Sequence, residues 1–391
     1  MYKKIAVFIA ACMGMTFFGV TMITLGAVLP QISETFGLNQ LEASELVVFL
    51  PIGILVGSLL FGPIVDRWGY KYLLILSSLI IALGLEGLAF LQHLAPFRLS
   101  IFFIGLGGGI LNGLSNSLVS DITTDSDRGA KLSLLGTFYG IGALGVPVLL
   151  AFLSNLYPYQ TILKGAGLMV ILCVLYFVAI NFPSAKQTQG FPLLSGIKLL
   201  KQPLLLLLSF VLFFQSAVEG LCNNWTTTYL GESASLTTEQ ALLALTCMVA
   251  GLTVARLLMS ALFRTIGQKR LFLGSMFIAG SGSFLLYFTS SYTGALFAMA
   301  LLGFGIASTF PVVFDILGTA FSSLSGTVFS IALVIALLGN TLINYLMGIM
   351  AKQWGIQIYP ALMIISMFLM IMLFILSFRH KYRGATLPYE R

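Results

Sequence analysis

Twelve stretches of about 20 predominantly apolar residues follow one another along the chain. They centre on 5–29, 46–64, 73–91, 99–119, 130–153 and 162–182. After a polar stretch over 183–203 come 204–230, 241–263, 271–289, 292–317, 326–350 and 359–378. A hydrocarbon layer about 30 Å thick is crossed by roughly 20 helical residues at 1.5 Å each. Within oil each backbone N–H and C=O must bond inside its own helix, so runs of this length fold as spanning helices. Only 8% of the 391 residues are charged, against about 25% in a soluble domain, too few to clothe a water-exposed surface. The expected fold is an all-α membrane protein of twelve transmembrane helices: a six-helix bundle over 1–182, a linker over 183–203, and a second bundle with a short basic tail over 204–391. The first run follows Lys3 and Lys4 and reaches Pro30 and Gln31 without a small-residue cleavage pattern, which reads as a retained span rather than a signal peptide.

Lysine and arginine set the orientation. With the N-terminus in the cytoplasm, sixteen basic residues fall inside, including Arg67, Lys71, Arg128, Lys186, Arg264 and Arg391. Arg98, Lys164 and Lys352 fall outside, and Arg256 lies within a span. Both termini are therefore expected in the cytoplasm of a bacterial-type inner membrane. The net charge of +7 needs only anionic lipids as a partner, not nucleic acid. Cys12, Cys173, Cys222 and Cys247 lie in apolar runs without short spacing, and His93 and His380 are the only histidines. Neither a disulfide framework, a metal centre nor a cofactor is called for, and an intramembrane enzyme is disfavoured.

The halves repeat. Gly69 and Lys71 after the second span match Gly267 and Lys269 after the eighth at an offset of 198, and the same offset carries Gly105 and Gly107 onto Gly303 and Gly305. Such a register implies an internal duplication, a recurrent plan in transporters. Gly53, Gly57 and Gly62, with Gly105 and Gly109, would let the second and fourth helices approach neighbours closely. Asp66 is expected to accept from backbone amides where the third helix begins, with Arg67 and Lys71 meeting it or lipid phosphates. The cluster reads either as a gate that forms and parts or as a packed turn.

The stretch Gly62-x-x-x-Asp66-Arg67-x-Gly69-x-Lys71, its degraded partner around Gly267, the six-plus-six layout and the central linker resemble the major facilitator superfamily. The resemblance implies two six-helix bundles rocking about a central site, lined by the first, fourth, seventh and tenth helices, and catalysis of facilitated diffusion, coupled uptake or efflux. Gly107 to Asn116 is similar to the fourth helix of the fucose–galactose–glucose:proton symporter branch, and Leu134 to Ala143, with Tyr139, to its fifth. Glu219 to Leu230 resembles the seventh helix of related sugar carriers. Two positions depart from the branch: its fourth-helix acid is Asn112 here, and its fifth-helix histidine is Gly136. Either change removes the usual proton carrier or alters the solute.

Ionisable groups inside the hydrocarbon cost about 2.5 kcal/mol or more and mark passages or partners. There are four: Glu86, Glu219, Arg256 and Asp315. Glu219, deep in the seventh span, is the expected proton-coupling residue, a purely structural pairing being the alternative; Gln215, Asn223 and Tyr229 help to continue its polar face. Asn223, Asn224 and Trp225 suit a sugar, with amides for hydroxyls and an indole for the ring face, though Trp225 equally suits an interfacial anchor. Thr226 to Thr228 are expected to bond backbone carbonyls. Asn112 and Asn116, and Asn340 and Asn344, each four apart, read as solute contacts or as interhelical glue. Arg256 and Asp315 read as a gate pair, or Arg256 as an anion contact. Glu86 reads as structural, reaching water near the interface.

The expected function is proton-coupled symport of a small polar solute, a sugar foremost, by a protein expected to be monomeric. Fifteen methionines and thirty-two phenylalanines keep open efflux of amphipathic compounds. A non-transporting receptor or scaffold is the reading from another class; short loops disfavour it.

Overall fold

The computed structural model describes residues 2–38, 40–91, 93–153, 156–185 and 198–383. Lys186, Arg391 and the middle of the expected linker, 186–197, lie outside the described residues. The helices in the first half of the chain are α1 (Lys4–Phe36), α2 (Gln40–Trp68), α3 (Tyr70–Phe90), α4 (Leu94–Ile122), α5 (Arg128–Leu153) and α6 (Tyr159–Ala179). Those of the second half are α7 (Pro203–Ala234), α8 (Thr238–Leu262), α9 (Gln268–Phe288), α10 (Tyr292–Ile306), α11 (Thr309–Ala320), α12 (Ser325–Trp354) and α13 (Tyr359–Arg383). Among the described residues, eleven helical stretches are long and apolar enough to cross a membrane, α10 and α11 together forming one of them.

Local chemistry sets several boundaries. Pro203 opens α7 at a position whose N–H has no helical acceptor. Thr237 and Gln240 close a capping box at the start of α8. The expected tenth span, 292–317, is divided at Ala307 and Ser308. Pro311 explains the division: its ring would collide with the carbonyl of Ala307 in a continuous helix.

The chain forms two compact units. The first comprises Met1–Thr124, Leu135–Leu193 and Phe321–Ser330, the second Asp125–Leu134, Leu194–Ala320 and Ile331–Arg391. They differ from the expected bundles in two ten-residue segments, 125–134 and 321–330, each grouped with the unit built mostly from the other half. These segments sit 196 residues apart, close to the repeat offset.

Close helix packing follows the duplication. In the first unit a Cβ on Gly53 would lie 2.2 Å from the Phe102 carbonyl oxygen, and one on Gly105 equally close to that of Leu50. In the second unit, Gly251 stands 2.5 Å from the Ala300 oxygen by the same measure, and Gly303 is 1.9 Å from that of Met248. All four pairs map onto one another at the offset of 198. Gly84 against Ser100 and Ile104 maps likewise onto Gly282 against Ala298 and Leu302. The repeated glycines are therefore repeated contacts.

Candidate functional site

Asp66 is not at the start of α3 but in the last turn of α2, and it serves a different helix. Its carboxylate accepts the Gly326 amide at 3.2 Å, the Thr327 amide at 2.8 Å and the Thr327 hydroxyl at 2.6 Å. A negative charge on the free amides of a helix N-terminus is the expected chemistry; the recipient is α12, in the segment that joins the first unit. At the start of α3 stands Gly69, with φ 81° and no side chain to cap the helix. Lys71 donates instead to the carbonyls of Val178 and Ile180, at 2.7 and 3.0 Å, placing a cation at the C-terminus of α6.

Beside Asp66 lies a ring of hydrogen bonds that the sequence reading missed. The Tyr70 hydroxyl donates to Asp121 and meets Ser117 at 2.9 Å. Ser117 meets Ser325 at 3.0 Å, and Ser325 donates to Asp121 at 2.9 Å. The signal was present: Asp121 is an acid at the end of an apolar span, and Tyr70 follows the glycine of the loop motif.

At the corresponding place in the second unit, Gln268 donates to Asp315 at 2.5 Å, Thr319 to the Asp315 carbonyl at 2.9 Å, and Arg128 to Thr319 at 2.5 Å. Gln268, Asp315 and Thr319 are the repeat counterparts of Tyr70, Ser117 and Asp121. Asp315 is thus held in an end-of-span network. Arg256 is buried on α8, its carbonyl accepting from Ser133 at 2.6 Å, and its charge acts on Glu219.

Around Glu219 the polar side of α7 is graded. Gln215 is wholly buried; Glu219, one turn on, is half-buried; Asn223, the next, is exposed. Asn224 donates to the Asn344 side-chain oxygen at 3.0 Å. Asn344 in turn donates to the Asn340 backbone and side-chain oxygens at 2.8 and 3.0 Å. A Cβ on Gly220 would lie 2.2 Å from Asn340 Oδ1, so α7 and α12 touch through this amide ladder. Trp225 is half-buried against Gly348. Tyr229, by contrast, is buried and committed to packing: its hydroxyl donates to Leu286 and its ring lies 5.1 Å from Tyr359. Thr226 bonds the Tyr359 hydroxyl at 2.7 Å rather than a backbone carbonyl.

In the first unit Asn116 repeats the geometry of Asn344, donating to the Asn112 backbone and side-chain oxygens at 2.8 and 3.2 Å. Among the described residues, the Nδ2 groups of Asn112 and Asn340 have no protein acceptor. Each pair therefore spends one amide on the helix and leaves two N–H donors for another partner. Tyr139 is half-buried, its ring 5.4 Å from Phe18.

The sequence profile of the Major Facilitator Superfamily matches residues 7–255, well over half of the chain. The chain belongs to the Major Facilitator Superfamily. Among curated superfamily relatives and other proteins, it is 22% identical over 368 residues to a TsgA homolog of Buchnera aphidicola, covering 92% of each chain. It is 23% identical to an uncharacterized MFS-type transporter of Yersinia pestis, covering 77% of each. Its fold matches that of FucP, an MFS transporter, with a TM-score of 0.80 at 18% identity over 95% of this chain and 98% of that one. XylE, a proton:xylose symporter solved with a bromodeoxyglucose, gives 0.77 at 15% identity over 97% and 95%.

As a superfamily member, the protein is a multi-pass cell-membrane transporter, and its fold is that of FucP and XylE. Large apolar side chains exposed on its spans, among them Leu83, Phe277 and Phe368, face the lipid such a protein requires.

Proposed function

We propose that this transporter is a symporter that moves a small polar solute, a sugar foremost, together with a proton by alternating access. The observation that carries the reading is Glu219: a half-buried carboxylate in a membrane span, flanked on α7 by exposed Asn223 and Asn224, and under the charge of buried Arg256. Protonation turns Glu219 from a hydrogen-bond acceptor into a donor and removes a negative charge from the helix that packs beside the Arg256 helix. The two states differ in how they hold Gln215 and a bound hydroxyl group, the energetic difference that coupling requires. The free Nδ2 donors of Asn112 and Asn340, with Asn116 and Asn344 orienting them, suit sugar oxygens. Trp225 supplies an apolar face and Tyr139 a further hydroxyl. In this reading Asp66, Arg67, Lys71, Arg256 and Asp315 are the charges assigned to gating, Asp66 and Asp315 from the networks at the ends of their spans. In the same reading α5 is the twelfth crossing and both termini are cytoplasmic, with a proton and anionic lipids as the remaining partners and the protein a monomer.

Proteoliposomes carrying the purified protein test the proposal. An inward proton gradient should drive accumulation of at least one member of a panel of hexoses and pentoses, with proton uptake in step. Proton-linked movement of lipophilic cations, with none of the sugars, would replace symport by efflux; no proton-linked flux of any solute would end the coupling assignment.

A further inference from the structure

A groove of about 370 Å³ runs along the end of α3, lined by Leu83, Glu86, Phe90, Leu99, Ser100 and Phe103. Leu83, Phe90, Leu99 and Phe103 are exposed, so the walls are apolar and open at the surface of a membrane span. Glu86 is half-buried in that wall, and among the described residues it has no hydrogen-bond or ion-pair partner. From α6, Gly167 faces it: a Cβ there would stand 2.4 Å from Glu86 Oε1. Three residues earlier on α6, Lys164 holds its ammonium 4.0 Å from the centre of the Phe90 ring. Residues three apart share a helix face, so Lys164 and Glu86 belong to one seam. Phe90 lies one turn beyond Glu86, a rise of about 6 Å. The anion in the groove wall and the cation over Phe90 thus stand about one turn apart along α3 without pairing with each other.

We propose that this groove holds one phosphatidylethanolamine molecule, its phosphate on Lys164, its ammonium on Glu86 and an acyl chain along Leu83, Leu99 and Phe103. The argument is charge complementarity. An unpaired carboxylate in a span calls for a partner or water, and Lys164 holds a cation over Phe90, one turn away at the end of α3. A headgroup with one anion and one N–H-bearing cation joined by a short link satisfies both, and the apolar walls take its chain. Choline carries the same charges but no N–H donor; a glycerol headgroup leaves Glu86 facing a net negative lipid. The lysine, with its stem along the Phe90 ring and its head at the span end, has the disposition of a side chain reaching for lipid phosphate.

Native mass spectrometry of the purified transporter tests this with phosphatidylethanolamine, its N-methylated derivatives, phosphatidylcholine and phosphatidylglycerol. One phosphatidylethanolamine should be retained, and retention should fall stepwise as the ammonium hydrogens are replaced by methyl groups. Lys164→Gln should weaken retention about five-fold, the worth of one basic side chain at a lipid surface. Glu86→Gln should abolish the preference for ethanolamine over choline. The headgroup series on the unaltered protein needs no variant to fold. Equal retention of phosphatidylethanolamine and phosphatidylcholine by that protein would overturn the proposal, as would a preference unchanged in Glu86→Gln. Phosphatidylglycerol bound as tightly as phosphatidylethanolamine would reduce the site to Lys164 alone and overturn the assignment of Glu86.

Discussion

Asp66 and Arg264 occupy the same position in the two repeats, 198 residues apart, and carry opposite charges onto the segments 321–330 and 125–134, each grouped with the unit built mostly from the other half. Asp66 is 1% exposed and takes three hydrogen bonds from the start of α12. The Arg264 guanidinium meets Asp127, just before α5, at 3.3 Å, with side chains 62% and 44% exposed. Hydrogen bonds to a buried charge are worth about 1.5–3 kcal/mol each, whereas an exposed ion pair yields about 0–1. Asp66→Asn is therefore expected to lower stability by about 2–3 kcal/mol and Arg264→Gln by less than about 1. Thermal melting in detergent compares them, and equal losses would contradict the assignment.

The ring joining Tyr70, Ser117, Asp121 and Ser325 should behave as a unit. Tyr70→Phe and Ser325→Ala are each expected to cost about 1–3 kcal/mol, because each removes a bond to a carboxylate. The double variant should cost clearly less than the sum, as members of one network do. Strict additivity in melting experiments would show two independent contacts.

Gly69 and Gly267 are repeat counterparts with different backbones. Gly69 has φ 81° and ψ −175°, a region that disfavours any side chain, while Gly267 has φ −64° with open space where a Cβ would stand. Gly69→Ala is expected to cost about 1–3 kcal/mol, and Gly267→Ala less than about 0.5. Melting temperatures of the two variants check the contrast.

Gly220 carries the contact between α7 and the Asn340–Asn344 ladder. Gly220→Ala places a methyl against Asn340 Oδ1 and is expected to cost about 1–3 kcal/mol by overpacking, with solute affinity falling alongside. Adding Asn340→Ala removes the obstructing amide and should restore stability but not affinity. Rescue of both would make Asn340 a packing residue only.

Length and apolarity alone made the spans legible, because a run of about 20 apolar residues has one fate in oil. The duplication was legible at four positions, Gly69, Lys71, Gly105 and Gly107, and the structure extends it to contacts such as Gly53 with Phe102 and Gly251 with Ala300. What sequence could not reveal is which distant segment each end-of-span residue meets. Asp66 has the chemistry of a helix-terminus acceptor, but its donors lie 260 and 261 residues away. Periodicity likewise put Gln215, Glu219 and Asn223 on one side of α7 without showing that the three run from buried through half-buried to exposed. Tyr229, off the four-residue spacing, proved to be packed. The division of the tenth span is legible in Pro311, although hydropathy continues through it.

The most direct measurement compares two assays of Glu219→Gln in proteoliposomes. Counterflow, which needs binding and reorientation but no net proton movement, should persist, while accumulation driven by a proton gradient should vanish. A Glu219→Gln protein that still concentrates solute against its gradient at the unaltered rate would contradict the account.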